Sequence, residues 1–182
     1  DSVQFKFIDL TNTPTSGFLK LNTANLPDPA IADPDDHFFS KVVTHGGTST
    51  ATTCTFNLAT NEWLMIIKNV ESSENWYVVD SIRGVAFYSD FNSNAPVQIN
   101  DTNVVTVSGT TFTLGSTLAA EDYIVDIHKA GLTSATAAVT TGSINTVKTS
   151  ANTTSGFFIS TYTGTGSAGT IAHGLTEAPD VV

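Results

Sequence analysis

Apolar and polar residues alternate along much of this chain, and the alternation predicts strands rather than helices. Val3, Phe5 and Phe7 share one face of residues 3–8. In 38–44, Phe39, Lys41 and Val43 oppose Phe38, Ser40 and Val42, and His45-Gly46-Gly47 then reads as a hairpin turn into a Thr-rich strand at 51–56. Trp63–Lys68 (WLMIIK) is a continuous apolar run of strand length, the mark of a buried strand. Trp76–Ile82 is a further strand reaching Arg83-Gly84, with Val85–Tyr88 extending it before the Asn- and Ser-rich loop 89–96. Asn103–Val107 and Thr111–Leu114 flank Ser108-Gly109, a short hairpin signal. Residues 118–122 carry helix formers, but Tyr123–His128 is β-branched and alternating, so 118–129 is read as a turn followed by a strand. Residues 133–155 are almost all small, too slight for a deep core, and are expected to pack outside or bridge to a following unit.

One stretch occurs twice. Phe38-Phe39, Val43-Thr44 and Gly47 match Phe157-Phe158, Tyr162-Thr163 and Gly166 at an offset of 119 residues. After a shift of two, Leu58 matches Leu175 and Leu64-Met65 matches Val181-Val182. That period is too long for a solenoid repeat or a propeller blade and has the size of a domain. Together with strands separated by turn signals, it predicts an all-β fold: an antiparallel β-sandwich or jelly-roll-like domain with internally repeated hairpins. Three segments are expected. Residues 1–36 hold the end of an upstream β-domain and a connector stiffened by Pro27, Pro29 and Pro34; 37–156 form the sandwich; 157–182 begin a second, similar element. Since Val182 matches Met65 inside a strand, the chain is expected to continue. The alternative is one larger domain with two related hairpins about a pseudo-twofold.

Composition narrows the function classes. Apolar residues at 40% suffice for a core, but charged residues make up only 13%, about half the usual share. A net charge of −10 with seven Lys and Arg argues against nucleic acid and against an anionic membrane surface. No apolar run is long enough to span a bilayer. Cys54 is the single cysteine, so no intramolecular disulfide is available, and burial is expected for it.

Candidate chemistry is sparse. Asp28, Asp33, Asp35 and Asp36 could offer oxygen ligands, but the loop lacks the Gly and terminal Glu of an EF-hand and reads as a solvated connector. His37, His45, His128 and His173 have no metal-ligand spacing and read as structural. Glu71 with Glu74 and Glu121 with Asp122 are paired carboxylates, which serve a glycosidase only if they face each other across a cleft. No G-x-S-x-G elbow and no Gly-rich loop before a helix occurs. No catalytic residue, metal or cofactor is therefore expected. Asp80 and Arg83 read as a charge-assisted pair closing the turn into Gly84. Trp63, Trp76, Tyr77, Tyr88 and Tyr162 are the candidate glycan contacts should they cluster at an exposed edge, with core packing the competing role for the two Trp.

The order of GFLKLNTANLPDPAI (17–31), HFF (37–39), DSIRG (80–84), FTLG (112–115) and GFFISTYTGTGS…TIAHGL…AP (156–179) resembles a block in the C-terminal region of large virion proteins of tailed marine bacteriophages, described as tail fibre-like or structural. The resemblance covers nearly the whole chain. It departs at Tyr123–Lys129, where the family often has a Trp-rich segment, and at 48–62, which lacks the usual Gly-Leu. It implies a non-enzymatic virion protein, a segment of a tail fibre or appendage acting in assembly and host attachment. The implied partners are copies of itself, as a homotrimer, and other virion proteins; the location is the virion, extracellular after release. The rival expectation is a carbohydrate-binding adhesin domain that recognises a host-surface glycan, and a polysaccharide-degrading tailspike is a third.

Overall fold

Eleven strands are the main regular structure among the residues described by the computed structural model, which are 31–91, 98–99 and 101–182. The strand expected at 3–8, the turns and connector before residue 31, and most of the loop 89–96 lie outside the described residues. Contacts divide the chain after Ala32, and the described residues belong almost wholly to the unit Asp33–Val182.

The strands are β1 (Phe38–Thr44), β2 (Thr50–Thr53), β3 (Asn61–Asn69), β4 (Tyr77–Asp80), β5 (Phe87–Asp90), β6 (Gln98–Ile99), β7 (Val105–Ser108), β8 (Thr111–Leu114), β9 (Asp122–Leu132), β10 (Thr146–Asn152) and β11 (Phe157–Tyr162). They form a six-stranded sheet in the order β1-β9-β3-β4-β5-β6, a three-stranded sheet β2-β8-β7 and a two-stranded sheet β10-β11. Every strand pair is antiparallel. The first two sheets face each other as an all-β sandwich.

Period-two alternation builds the core. Phe39 and Val43 of β1, Trp63, Met65 and Ile67 of β3, and Tyr123, Val125 and Ile127 of β9 point inward to meet Val105 of β7 and Phe112 and Leu114 of β8. The Phe39 and Phe112 rings meet edge to face, 5.9 Å between centroids. Each such buried side chain contributes about 1.5–3 kcal/mol. Leu64 and Ile66 are only half-buried on the opposite face, so WLMIIK is covered fully on one side alone. Lys41 points the same way as Phe39 and Val43 but stays exposed on the edge strand β1, where an inward charge discourages edge-to-edge pairing.

Two local expectations are corrected. His45-Gly46-Gly47 is not a hairpin turn: β1 pairs with β9 and β2 with β8, so the chain crosses between sheets there. His45 N–H donates to Glu121 O at 3.0 Å, which takes the end of β1 toward β9 rather than back on itself. Val85–Tyr88 does not extend the preceding strand. Gly84, at φ 101°, helps reverse the chain, and β5 returns antiparallel onto β4. The Ser108-Gly109 hairpin forms as read, joining β7 to β8 with Gly109 at φ 58°.

The hairpin β10-β11 packs against β9. The boundary expected between residues 156 and 157 falls in its turn, where Gly156 N–H donates to Asn152 O at 2.9 Å. Close approach depends on Gly131 of β9: a Cβ there would stand 2.7 Å from the Ala151 carbonyl oxygen. Residues 133–155, expected outside or as a bridge, thus divide into an exposed small-residue stretch and the strand β10, which buries Thr146, Thr149 and Ser150.

Candidate functional site

The two carboxylate pairs legible in the sequence come together at one end of the sandwich. Asn69, the last residue of β3, faces Tyr123 of β9 across the ladder, and both are buried. The Asn69 amide donates to Glu121 Oε2, to Glu74 Oε2 at 3.1 Å and to Tyr123 Oη at 3.3 Å. Its Oδ1 accepts the N–H groups of Glu71 and Ser72 at 2.8 and 2.9 Å. Tyr123 Oη donates to Glu74 Oε2 at 3.1 Å and accepts from Ala119 N at 3.0 Å. Ser72 Oγ donates to Glu121 Oε2 at 3.0 Å, and Asp122 N donates to Glu71 Oε2 at 2.9 Å. Burial, reinforced by the Glu74 charge, pushes the Tyr123 hydroxyl up to about 12. These carboxylate oxygens are engaged by groups of the fold itself, which locks the loops after β3 and before β9 together. Among the described residues, no three His, Cys, Asp or Glu side chains are placed to share a metal ion.

The aromatic candidates separate. Trp63 is 1% exposed and donates its indole N–H to Leu58 O at 3.0 Å, a core position. Tyr162 is exposed on β11, in a different sheet. Tyr77 and Tyr88 come together on one face of β4 and β5, and Trp76 immediately precedes β4. Trp76 is exposed, and the Tyr77 and Tyr88 rings lie 5.3 Å apart. Burial raises both tyrosines, helped for Tyr77 by Glu74, Tyr88, Asp90 and Asp101, and for Tyr88 by Asp90 and Asp101. Asn75 Nδ2 donates to Asp90 Oδ2 at 3.2 Å in the same place.

In the turn after β4, the Asp80 carboxylate accepts Arg83 Nε and, at 2.7 Å, the Arg83 backbone N–H. Arg83 Nη1 continues to Ser89 Oγ at 2.8 Å, and Gly84 N–H donates to Asp80 O at 3.1 Å. Arg83 thus ties the turn to β5.

A contact that residue-by-residue reading missed lies where the β10-β11 hairpin meets the large sheet. His128, on the outer face of β9, lies 4.8 Å from the ring of Phe38 and 5.2 Å, stacked, from that of Phe157. The first Phe of each repeated pair therefore meets the same imidazole. Asn152, paired with Phe157 across the hairpin, donates from Nδ2 to His37 Nδ1 at 2.8 Å and to Lys129 O at 3.2 Å. The second Phe residues diverge: Phe39 enters the core, and Phe158 packs on His173 at 5.5 Å. The repeated Phe pair was the available signal, but nothing in it pointed to His128.

No curated protein and no solved structure matches this chain. A family model described as Domain of unknown function (DUF7483) matches residues 33–182, the span that folds as one unit here. The chain belongs to that family.

Proposed function

We propose that this domain is a non-enzymatic structural module of a phage virion, a segment of a tail fibre or appendage that acts in assembly and host attachment, joined to copies of itself as a homotrimer and to other virion proteins. The observation that carries this reading is the surface left open by the sandwich. Residues 133–145 are small and mostly exposed, and the adjoining ribbon leaves Val147 and Tyr162 more than half exposed. Small side chains permit close approach of backbones, and closed symmetry would bury such a surface. The carboxylates after β3 and before β9 support a non-catalytic role, since Glu71, Glu74 and Glu121 each commit an oxygen to groups that hold the two loops together. Light scattering on the purified chain tests the reading. The expected mass is three times that of the monomer, with residues 133–145 protected from hydrogen exchange; a monomer at high concentration with that stretch fully exchanging would overturn it.

A second reading, a carbohydrate-binding adhesin domain, is favoured by the exposed Trp76 just before β4 and by the Tyr77–Tyr88 pair, with Asp90 opposite Tyr77. Aromatic faces stack on sugar rings, and a neighbouring carboxylate and amide accept and donate hydrogen bonds to hydroxyls. Binding on an array of host-surface glycans, lost in Trp76→Ala and Tyr88→Ala, would support it; a flat array would remove it.

A further inference from the structure

β11 is an edge strand that nothing in its own composition protects. Among the described residues its backbone pairs with β10 alone. The far side of β10 is already taken: Ala137 and Thr149 exchange N–H···O bonds at 3.2 and 2.7 Å, and Thr146 N–H donates to Val139 O at 3.0 Å. The outer side of β11 therefore presents a row of main-chain donors and acceptors to which a further strand can add. The edge strand β1, which starts on the same Phe pair, carries Lys41, whereas Phe157–Tyr162 (FFISTY) has neither a charge nor a proline.

A groove follows that side. A cavity of about 340 Å³ is lined by every residue from 156 to 160. Successive side chains of a strand point to opposite faces, so a cavity touching all of them lies against the strand's edge rather than on one face. Leu64 of β3 and Pro179, Val181 and Val182 complete a mostly apolar lining. A second cavity of about 600 Å³ shares Gly156, Phe157, Pro179 and Val181 with the first and adds the carboxylates of Glu177 and Asp180. Both carboxylates are exposed, and neither has an ion-pair partner among the described residues.

We propose that this groove takes an extended peptide segment of another protein, which adds as a strand to β11 and carries apolar side chains at alternate positions and a Lys or Arg beside Glu177 and Asp180. The edge supplies main-chain hydrogen bonds, the apolar lining receives every second side chain, and the carboxylates select the sign of the partner's charge. Antiparallel addition is the more stable arrangement per residue and puts the peptide's C-terminal end at Phe157. The cationic residue therefore belongs at that end; at the other, Lys148 lies opposite Thr161 with its Nζ 3.4 Å from Ile82 O. Charge disfavours a second copy as the occupant. Each copy carries −10, and Lys68, Arg83, Lys129 and Lys148 are turned to carboxylates or carbonyls of their own chain. The inference goes beyond the assembly reading above and does not require a trimer.

The test titrates the whole chain into a fluorescein-labelled, end-blocked probe, Thr-Val-Thr-Val-Thr-Lys, and reads anisotropy at low salt. Saturable binding is expected. Of two probes N-methylated on alternate residues, one along each edge, the one whose blocked edge faces β11 should bind about tenfold or more weakly, and the other should still bind. Glu177→Lys combined with Asp180→Lys, both exposed and outside the strands, should weaken the Lys probe about three- to tenfold and strengthen the same probe ending in Glu. No binding, equal binding of the two N-methylated probes, or a double variant that leaves both end charges alike would overturn the proposal. Displacement of the probe by unlabelled chain would assign the groove to a second copy and overturn it as well.

Discussion

Gly47 and Gly166 hold matching positions in the two copies of the Phe-Phe stretch and share one backbone conformation, φ 78° and 73°. Both glycines lie just past their Phe-led strands, although β1 joins the large sheet and β11 a two-stranded ribbon. The two glycines differ in what surrounds them. A Cβ at Gly47 would stand 3.1 Å from Ala120 Cβ, whereas at Gly166 nothing lies within 4 Å. Gly166→Ala is expected to cost about 1–2 kcal/mol from left-handed strain alone. Gly47→Ala should cost more in the same urea titrations, and equal losses would show that Ala120 gives way freely.

Asn69 is the hub of the carboxylate end. Replacing it with Ala strands the Glu71 and Ser72 N–H groups and removes the donor shared by Glu74 and Glu121, with an expected loss of about 2–3 kcal/mol by chemical denaturation. A loss under about 0.5 kcal/mol would mean that water replaces Asn69 without penalty.

Tyr123 gives an alkaline limb to stability. Its folded value is pushed up to about 12 from the ordinary 10, so the folded chain holds this proton more tightly than the unfolded chain. Stability is full below pH 10, falls as the unfolded tyrosine ionises, and levels off above about pH 12, a total of about 2–3 kcal/mol. Tyr123→Phe should be less stable at pH 8 because Ala119 N loses its acceptor, and it should lose this part of the alkaline decline. A decline of the same size in the variant would assign it to other groups.

The two tryptophans are expected to behave oppositely. Trp63 is enclosed and Trp76 is 41% exposed, so acrylamide should quench one component of native emission and spare the other. Trp63→Ala should cost about 3–5 kcal/mol, as large core truncations do. Trp76→Ala should change stability by no more than about 1 kcal/mol, as a surface substitution. A quencher-accessible Trp63 would contradict the core position.

Much of the sandwich was legible because side-chain alternation is a local consequence of the pleat. Phe39 and Val43, Tyr123, Val125 and Ile127, and the hairpin at Gly109 follow from period two and from a turn that fixes its own register. The misread turn at His45-Gly46-Gly47 shows the limit: turn residues allow the chain to reverse, but they do not choose its partner. The partner of β1 lies in β9, about eighty residues on, because the inner faces of both strands must be covered by the same core. The candidate site followed the same rule. Glu71, Glu74, Glu121 and Asp122 were visible as pairs, but Asn69, whose amide reaches Glu74, Glu121 and Tyr123, carried no local mark.

The sequence alone determined the strand-rich class and the alternating faces of strands such as β1 and β9, both of which depend on neighbours one or two residues apart, and it showed the recurrence of the Phe-Phe stretch. Only the tertiary structure decided which strands pair, and that Phe38 and Phe157 close on one histidine from two sheets. The reason is physical: a strand's periodicity fixes which side is buried, while the surface it is buried against is supplied by distant chain.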